Sequence, residues 1–302
     1  MASPAYSSPA SNARGGVLYL VGTPIGNLED LTLRALRVLK EVDLIACEDT
    51  RQTQKLLTHY DIHTRTVSYH EHNEIIRAAE LVLELEQGMK IALVSDAGMP
   101  AISDPGHHLV ALAIRHGVPV VPVPGASAFV AALAASGVPT ENFHFAGFLP
   151  ARRTQRRKAL RALADHEGAL VFYEAPHRLR ETLHDLLDVL GDPYLVIARE
   201  VTKVHEEFLR GRLSDLLNQL KDREIKGEVT LIVSPEAATR VLKLACASRR
   251  RDRAVSLSRR VEELQKQRGL DLKAALKLVA RERGLTRDEA YRRLQEERSL
   301  GN

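Results

Sequence analysis

Short apolar runs and longer segments with helical spacing alternate along the first half of the chain. In the longer segments apolar residues recur every three or four positions, which is typical of amphipathic helices. Three of these segments end in Gly88, Gly117 and Gly137, and glycine readily adopts the left-handed conformation at a helix C-terminus. The apolar runs predict strands at VLYLVGT, DLIACED, TRTVSYH, KIALVSDAG and VPVVPVPG.

Nearly continuous apolar strands separated by helices are typical of a parallel sheet covered by helices on both faces. We therefore predict an N-terminal α/β domain with a parallel sheet at residues 17–140. Ligands of such sheets bind at the carboxyl ends of the strands. The distinctive residues of this chain follow those ends, at 22–27, 48–51, 70–73, 96–106 and 124–127.

The rest of the chain predicts two further domains. Residues 141–237 again alternate strand-like and helical segments, and we expect a second α/β domain with a mixed sheet. Residues 245–302 are helical and rich in arginine. Two short helices there, separated at Gly284, favour a small helix-turn-helix-like domain, and Thr286 with Glu289 has the spacing of a capping box. A helical appendage with solvated charges is the alternative.

Composition narrows the classes of function. With 302 residues, 44% of them hydrophobic, the chain can build more than one core. No apolar run approaches the roughly 18 residues that span a bilayer, which disfavours a membrane protein. Residues 1–16 lack the regions of a secretory signal and predict a disordered tail. Two distant cysteines without a CxxC pair favour neither a disulfide framework nor a zinc site, so we expect a cytoplasmic protein.

The loop after the first strand, GTPIG, fits no phosphate-binding template. It matches neither G-x-G-x-x-G nor G-x-x-x-x-G-K-[ST], and Pro24 lacks the N–H group that an anion nest would donate. A rigid loop of this kind suits a pocket for a ligand without phosphates. An ordinary tight turn is the alternative.

Two more loops strengthen the prediction of a pocket. SDAGMPAISDPG follows the strand KIALV and combines glycines, which allow close approach, with prolines, which restrict the backbone. In VPVPGASA, Pro124 and Gly125 end a strand and Ser127 is positioned to cap the next helix. Three such loops at one sheet edge therefore favour a binding pocket over simple turns between strands and helices.

Several stretches together resemble the bacterial 16S ribosomal RNA (cytidine-2′-O)-methyltransferases of the tetrapyrrole methylase-like superfamily. They are GTPIGNLEDLTLRA, CEDTR, YHEHNE, SDAGMPAISDPG, VPGASA, GFLP, FYEAPHRL and AREVTKVHEE, and they span about residues 17–236. The resemblance implies two α/β domains of tetrapyrrole methylase type, S-adenosylmethionine bound between them, and a homodimer. It also implies a cytidine in the decoding region of 16S rRNA as substrate, within the small ribosomal subunit.

The resemblance also indicates where the cofactor binds. The G-x-P loop of the superfamily contacts the methionine part of the cofactor, and here that loop is GMP. Tetrapyrrole methylases often have Asp where Met99 stands, which disfavours a porphyrin-like substrate. The implied cofactor contacts are Asp96, Gly98, Met99, Pro100, Ile102, Ser103, Ser127, Tyr173 and Ala198.

Methyl transfer to a ribose hydroxyl depends mainly on positioning, helped by a general base or by a cation that stabilises the developing alkoxide. Carboxylates and a lysine at strand ends are the candidates, with Lys203 as the cation. Asp49 has an alternative role as a helix cap, and the charges of AREVTKVHEE could form ordinary ion pairs. The predicted catalytic residues are Glu48, Asp49, Glu200 and Lys203.

His70 and His72 would share one face if YHEHNE were a strand, and such a pair suits a metal. The sequence contains no HExxH motif, however, and the resembling enzymes are not generally zinc-dependent. We therefore predict no metal and expect the histidines to contact substrate or to form structural hydrogen bonds.

Basic residues are concentrated in a few places, although the formal net charge is only +4. Clustered Lys and Arg neutralise phosphates and give salt-dependent RNA affinity, whereas a solvated helix face is the alternative. A small-molecule methylase and a non-catalytic RNA-binding protein are the competing functions. The predicted RNA-binding residues are Arg152, Arg153, Arg156, Arg157, Lys158, Arg287, Arg292 and Arg293, with a further cluster at 249–253.

Overall fold

A computed structural model describes residues 15–234, 257–283 and 285–299. The chain divides into two compact units, Met1–Pro235 and Glu236–Asn302, and each is described by itself. The predicted disordered tail, apart from its last two residues, lies outside the described residues, as do the basic cluster at 249–253 and Gly284.

The first sheet of the larger unit is parallel, as predicted. Its five strands have the order β3-β2-β4-β1-β5, and every neighbouring pair is parallel. The strands are β1 (Val17–Val21), β2 (Leu44–Cys47), β3 (Thr66–Ser68), β4 (Lys90–Val94) and β5 (Val120–Val123). The helices are α1 (Leu33–Glu41), α2 (Thr50–His59), α3 (Glu74–Glu86) and α4 (His107–Arg115).

Helices cover both faces of this sheet because its strands are apolar on both sides. Leu18 and Leu93 are buried with residues of α3 and α4, whereas Val21 and Ile45 are buried with residues of α1 and α2. The predicted glycines after α3, α4 and the following helix all have a positive φ, between 72° and 101°. The α/β prediction for this region is therefore confirmed.

The second sheet is mixed, also as predicted. Its order is β6-β7-β10-β8-β9, in which β6 and β7 are parallel and the other pairs are antiparallel. The strands are β6 (Phe143–Phe148), β7 (Ala169–Glu174), β8 (Tyr194–Arg199), β9 (Glu207–Arg212) and β10 (Val229–Val233). The helices are α5 (Ala128–Ser136), α6 (Arg153–Ala162), α7 (Leu179–Leu190) and α8 (Leu213–Gln219).

Helix α5 packs on the second sheet, although the sequence pattern assigned it to the first domain. Its residues Ala132 and Leu133 are buried together with Val196 and Ile232 of the mixed sheet. The helix is apolar nearly all round, so its sequence presents no single face that would indicate which sheet it covers. On packing grounds the boundary between the α/β domains therefore lies before α5 and not after it.

The smaller unit contains helices, as predicted. Thr286 and Glu289 form the expected capping box: the Thr286 N–H donates to Glu289 Oε2 at 2.9 Å, and the Glu289 N–H donates to Thr286 Oγ1 at 3.3 Å. Leu257, Val279 and Leu294 contribute to a common apolar core. The described helices are α9 (Leu257–Arg268), α10 (Leu272–Arg283) and α11 (Arg287–Ser299).

Within the described parts of the chain, no helix has both the length and the apolar character that crossing a bilayer requires.

A buried ion-pair cluster joins α6 to α7. Arg156 and Asp185 are both fully buried, and Arg156 Nε donates to Asp185 Oδ2 at 2.8 Å. Arg153 Nε donates to Oδ1 of the same carboxylate at 3.0 Å. Burial alone would raise the pKa of Asp185, but these hydrogen bonds outweigh it and hold the pKa below its ordinary value. Arg156 is thus a buried structural residue, and its predicted contact with RNA is wrong.

We expect Asp185→Ala to destabilise the larger unit by about 3–5 kcal/mol, because it leaves the Arg156 guanidinium buried and without its carboxylate. Urea denaturation followed by far-UV circular dichroism measures the effect. Asp188→Ala is the matched control, since Asp188 is 46% exposed where it pairs with Arg157. Loss of that surface pair should cost less than about 1 kcal/mol. Equal effects of the two substitutions would contradict the structural role of Asp185.

Candidate active site

The loops that follow β1 and β4 are joined by backbone hydrogen bonds. The Thr23 N–H donates to Gly98 O at 2.9 Å, and the Gly98 N–H donates to Thr23 O at 3.1 Å. Thr23 Oγ1 also donates to Ser95 O at 3.1 Å. The GTPIG loop therefore pairs with the SDAGMPAISDPG loop, which explains why its backbone groups are not aimed at a phosphate.

The loop after β5 touches the loop after β1 through a pair of glycines. A Cβ atom at Gly22 would lie 2.7 Å from Gly125 Cα and 2.7 Å from Met99 Sδ. A Cβ atom at Gly125 would lie 2.8 Å from the backbone of Gly22. Side chains larger than hydrogen are therefore excluded at both positions. The loops after β1, β4 and β5 meet at this point.

The loop after β4 holds residues in a strained conformation. Ala101 and Ser103, neither of them glycine, have φ values of 67° and 62°. This left-handed region is uncommon for residues with a Cβ atom, and such strain clusters at functional sites. The strained backbone between Met99 and Gly106 therefore marks this loop as a candidate part of a functional site.

A cavity of about 350 Å³ lies between these loops and the second sheet. The volume is within the range of small-molecule sites. Its lining comes from both sheets, and includes Ile25 from the first loop and Thr230 from β10. The predicted cofactor residues that line it are Gly98, Met99, Ile102, Ser103, Ser127, Tyr173 and Ala198.

Asp96 and Pro100, the other predicted cofactor residues, do not line the cavity. Asp96 Oδ1 accepts a hydrogen bond from the Asp49 N–H at 3.1 Å, which joins the ends of β2 and β4. Pro100 is buried beneath the loop. Both residues belong to the loop that contributes Gly98 and Met99 to the lining, but neither lines the cavity itself.

Ser127 and Tyr173 are arranged around the first turn of α5. Ser127 occupies the N-cap position, as predicted, but its side chain makes no capping hydrogen bond and lines the cavity. The Phe129 N–H instead donates to Tyr173 Oη at 3.3 Å. Burial raises the pKa of Tyr173, so the phenol stays protonated at neutral pH.

Sequence reasoning missed several residues of the cavity. Asp104, Phe148 and Glu174 belong to motifs that the sequence did single out, but they were not named as site residues, and Glu228 lies in none of those motifs. Phe148 and Tyr173 have ring centroids 5.5 Å apart and offer aromatic surface. No lysine, arginine or histidine is among the described residues that line the cavity.

The charge of this lining decides which ligands fit. Its ionisable carboxylates favour a cationic ligand, and the lack of basic side chains there disfavours a phosphate. S-adenosylmethionine carries a sulfonium and an ammonium group and no phosphate. The residues present therefore fit this cofactor, with the aromatic pair suited to contact an adenine ring.

Two of the carboxylates are held by basic groups. Glu174 is fully buried, and its Oε1 accepts from Arg178 Nη2 at 2.6 Å. Glu228 pairs with Lys203 Nζ at 3.2 Å. Asp104 forms no ion pair among the described residues, which distinguishes it from both.

Lys203 and Glu200, two predicted catalytic residues, lie beside the cavity and not in its lining. Lys203 Nζ pairs with Glu200 Oε1 at 3.0 Å, and the Lys203 side chain contacts Gly26 of the first loop. Burial would lower the pKa of Lys203, but the hydrogen bond to Glu200 and the charge of Glu228 raise it. Lys203 thus stays protonated next to the loop, and its catalytic role stays a prediction.

A second cavity of about 440 Å³ adjoins the first and is shared at Ser103 and Asp104. Glu48 lines it, whereas Asp49 caps α2, since its Oδ1 accepts from the Arg51 N–H at 2.8 Å. The capping alternative for Asp49 is therefore seen in the structure. Burial and the nearby charge of Asp96 raise the pKa of Glu48.

His70 and His72 do not share the face of a strand, because β3 ends at Ser68 and the histidines lie in the turn before α3. The His70 N–H donates to Asn73 Oδ1 at 2.9 Å. Among the described residues no group of three or more His, Cys, Asp or Glu side chains could hold a metal ion. The condition for a shared face is therefore not met, and the expectation of structural hydrogen bonding agrees with this turn.

The predicted RNA-binding residues of α6 separate into two groups. Arg157 is engaged by Asp188 at 2.6 Å, as Arg153 is by Asp185. Arg152 and Lys158 are exposed, and neither has an ion pair in the described part of the chain. In the smaller unit, Arg292 and Arg293 are exposed on α11, which begins at Arg287.

Comparison with known proteins identifies the family of this chain. The family described as Tetrapyrrole (Corrin/Porphyrin) Methylases matches residues 17–217. The "Ribosomal RNA small subunit methyltransferase I" of Halalkalibacterium halodurans is 58% identical over 218 residues, covering 72% of this chain and 75% of the relative. The protein of the same name from Micromonospora olivasterospora is 45% identical over 300 residues, covering 97% and 92%.

A solved structure shares the fold. Uroporphyrin-III C-methyl transferase from Thermus thermophilus, complexed with S-adenyl homocysteine, aligns with a TM-score of 0.52 at 23% identity. The alignment covers 72% of this chain and 97% of that chain. The chain therefore belongs to the tetrapyrrole methylase family and, within it, to the ribosomal RNA small subunit methyltransferase I proteins.

Proposed function

We propose that the protein transfers a methyl group from S-adenosylmethionine to the ribose 2′-hydroxyl of a cytidine in the decoding region of 16S rRNA. The observation that carries the proposal is a cavity lined by carboxylates and aromatic rings, without basic side chains among its described lining residues. Such a site suits a cationic methyl donor. The names of the relatives support ribosomal RNA of the small subunit as the substrate.

The choice of cytidine and of the 2′-oxygen rests on the motif resemblance. Met99 favours this substrate over a tetrapyrrole, because tetrapyrrole methylases often have Asp at this position. The exposed basic residues favour it as well, since a small-molecule methylase has no need of an RNA-binding surface. A ribosomal substrate would place the protein in the cytoplasm. We further propose that it acts on the small ribosomal subunit as a homodimer.

When bound, S-adenosylmethionine supplies an activated methyl group on its sulfonium. Ser103 and Ser127 are positioned to orient it, and Phe148 with Tyr173 to contact its adenine. The loops on the first sheet shield one side of the cavity and the second sheet shields the other. Such positioning can supply most of the acceleration of an in-line displacement.

The first experiment incubates the protein with labelled S-adenosylmethionine and small ribosomal subunits that lack their own modifications. We expect one 2′-O-methylcytidine in 16S rRNA, located by mass spectrometry of nuclease fragments. Free 16S rRNA and a tetrapyrrole serve as alternative acceptors. Transfer to the tetrapyrrole alone would support a small-molecule methylase. RNA binding with neither methyl transfer nor cofactor binding would support a non-catalytic protein.

Cofactor binding tests the cavity independently of the acceptor. We expect Ala97→Trp to weaken S-adenosylmethionine binding at least about tenfold, because Ala97 is an exposed loop residue that lines the cavity and the indole would fill it. Isothermal titration calorimetry measures the change. Ala79→Trp is the matched control on the exposed side of α3, and it should bind the cofactor like the wild type. Unchanged binding by Ala97→Trp would place the cofactor elsewhere.

RNA binding tests the basic surface of α6. Replacing Arg152 and Lys158 by alanine should weaken affinity for 16S rRNA and reduce the salt dependence of log K, with a slope change of about 0.7–0.9 per lost phosphate contact. Filter binding at several salt concentrations measures both quantities. Lys40 and Arg115, exposed near the ends of α1 and α4 at the opposite sheet edge, give a control pair of alanine substitutions. Equal losses from both pairs would argue against a defined surface on α6.

A further inference from the structure

The turn that joins β8 to β9, residues 200–206, has a strained backbone next to the cofactor cavity. Glu200 and Thr202, neither of them glycine, have φ values of 52° and 71°. This left-handed region is uncommon for residues with a Cβ atom, and it persists only where the surroundings enforce it. Val201, which lies between them, lines the 350 Å³ cavity. The turn is therefore held in an unusual conformation at the edge of the proposed cofactor site.

The Glu200 carboxylate holds this turn against the second sheet. Its Oε1 accepts from the Glu228 N–H at 2.9 Å and from Lys203 Nζ at 3.0 Å. A Cβ atom at Gly227, whose φ is 87°, would overlap this carboxylate, so only glycine leaves room for it. Gly227 and Glu228 both line the cavity. Glu200 thus fixes the turn to the part of the lining that directly precedes β10.

The Lys203 side chain extends from this turn to the first α/β domain. A Cβ atom at Gly26, in the loop after β1, would overlap Lys203 Cγ and lie 3.0 Å from Lys203 Cε. Gly26 is not among the described glycines with a positive φ, so packing of the lysine, and not backbone conformation, requires glycine there. Ile25, the preceding residue, lines the cavity. The lysine stem therefore packs on the loop that forms one wall of the site.

The charges around Lys203 favour a positioning role over a catalytic one. Its ammonium pairs with Glu200 at 3.0 Å and with Glu228 at 3.2 Å. Burial alone would raise the pKa of Glu200, but hydrogen bonds from the Glu228 N–H and from Lys203 lower it, so Glu200 is ionised. Two carboxylates around one ammonium leave a negative charge, whereas a developing alkoxide needs a positive one. Lys203 is also not among the described residues that line the cavity.

We propose that Lys203 is a positioning residue that completes the cofactor cavity by fixing the loop after β1 against the second sheet. Its ammonium is held by Glu200 and Glu228 of the second α/β domain, while its stem packs on Gly26 of the first. Without this contact the two walls separate more often, and a cavity that is complete only part of the time binds its ligand more weakly by that fraction. The role rests on the proposed function, because it needs S-adenosylmethionine in this cavity.

Cofactor binding and methyl transfer, measured separately, test this role. Lys203→Met keeps an unbranched stem but removes the charge that the two carboxylates hold. By isothermal titration calorimetry we expect it to bind S-adenosylmethionine and S-adenosylhomocysteine about tenfold more weakly, as for a cavity complete about a tenth of the time. Single-turnover transfer to small ribosomal subunits at saturating cofactor should stay within about twofold of the wild-type rate, since the bound state is unchanged.

Two variants control for the change of side chain. Lys203→Arg keeps the positive charge and should recover most of the lost affinity, which loss of a merely space-filling residue would not require. Lys221→Met makes the same substitution at an exposed residue just after α8 and should change neither binding nor rate.

A pair of substitutions at the contact tests whether the two domains meet through Lys203. Gly26→Ala alone should weaken cofactor binding, because its Cβ would displace the lysine stem, whereas Thr202 Oγ1, at 3.1 Å from that Cβ, needs only a small shift. In a Lys203→Ala background the stem is gone, so adding Gly26→Ala should have little further effect on the Kd. Such non-additivity is typical of residues in direct contact. Far-UV circular dichroism checks that each variant is folded.

Wild-type binding decides first whether the proposed function holds. If the wild type binds no S-adenosylmethionine, the proposed function fails and the role of Lys203 fails with it. If the wild type binds and transfers, but Lys203→Met keeps its cofactor affinity and loses rate at saturating cofactor, Lys203 is a catalytic cation and only the positioning role fails. Additive effects of Gly26→Ala and Lys203→Ala on the Kd would also overturn the positioning role.

Discussion

The contact between Gly22 and Gly125, together with the two hydrogen bonds between Thr23 and Gly98, is the constraint on which the site depends. Strands β4, β1 and β5 are neighbours in the sheet, so their carboxyl ends open at one place. Pinning the loops to each other there fixes one wall of the cavity. The N–H groups of Gly22, Thr23 and Gly98 all donate to backbone carbonyls, so these three are not available to bind a phosphate.

The second sheet provides the other wall and most of the charge. Glu174 is buried and held by Arg178 and Thr182, so its position is fixed before any ligand binds, and Glu228 pairs with Lys203. Lys203 also contacts Gly26 of the first loop and thus links the two α/β domains next to the cavity. A cavity prepared in this way needs little rearrangement to bind a cation, and preorganisation of this kind is what electrostatic catalysis requires.

The arginines of the basic run at the start of α6 differ in their surroundings, since some are exposed and one is buried. Arg156 lies in the same basic run as Arg152, yet it is fully buried against Asp185, 29 positions further along the chain. Without Asp185 its guanidinium would carry an uncompensated charge in the core, so burial and pairing depend on each other. Neighbouring residues of this basic run are therefore buried and structural in one case and exposed to solvent in the other.

The order of strands and helices, the glycines that end α3 and α4, and the capping box of α11 followed from the sequence, because local periodicity and backbone preference determine them. The cofactor loop was also visible, since its glycines and prolines are adjacent in the chain. The position of α5 on the second sheet, the burial of Arg156 and the place of Asp104 between two cavities were decided by tertiary structure alone. Each depends on partners distant in sequence, and no local pattern records how close such partners come in the folded chain.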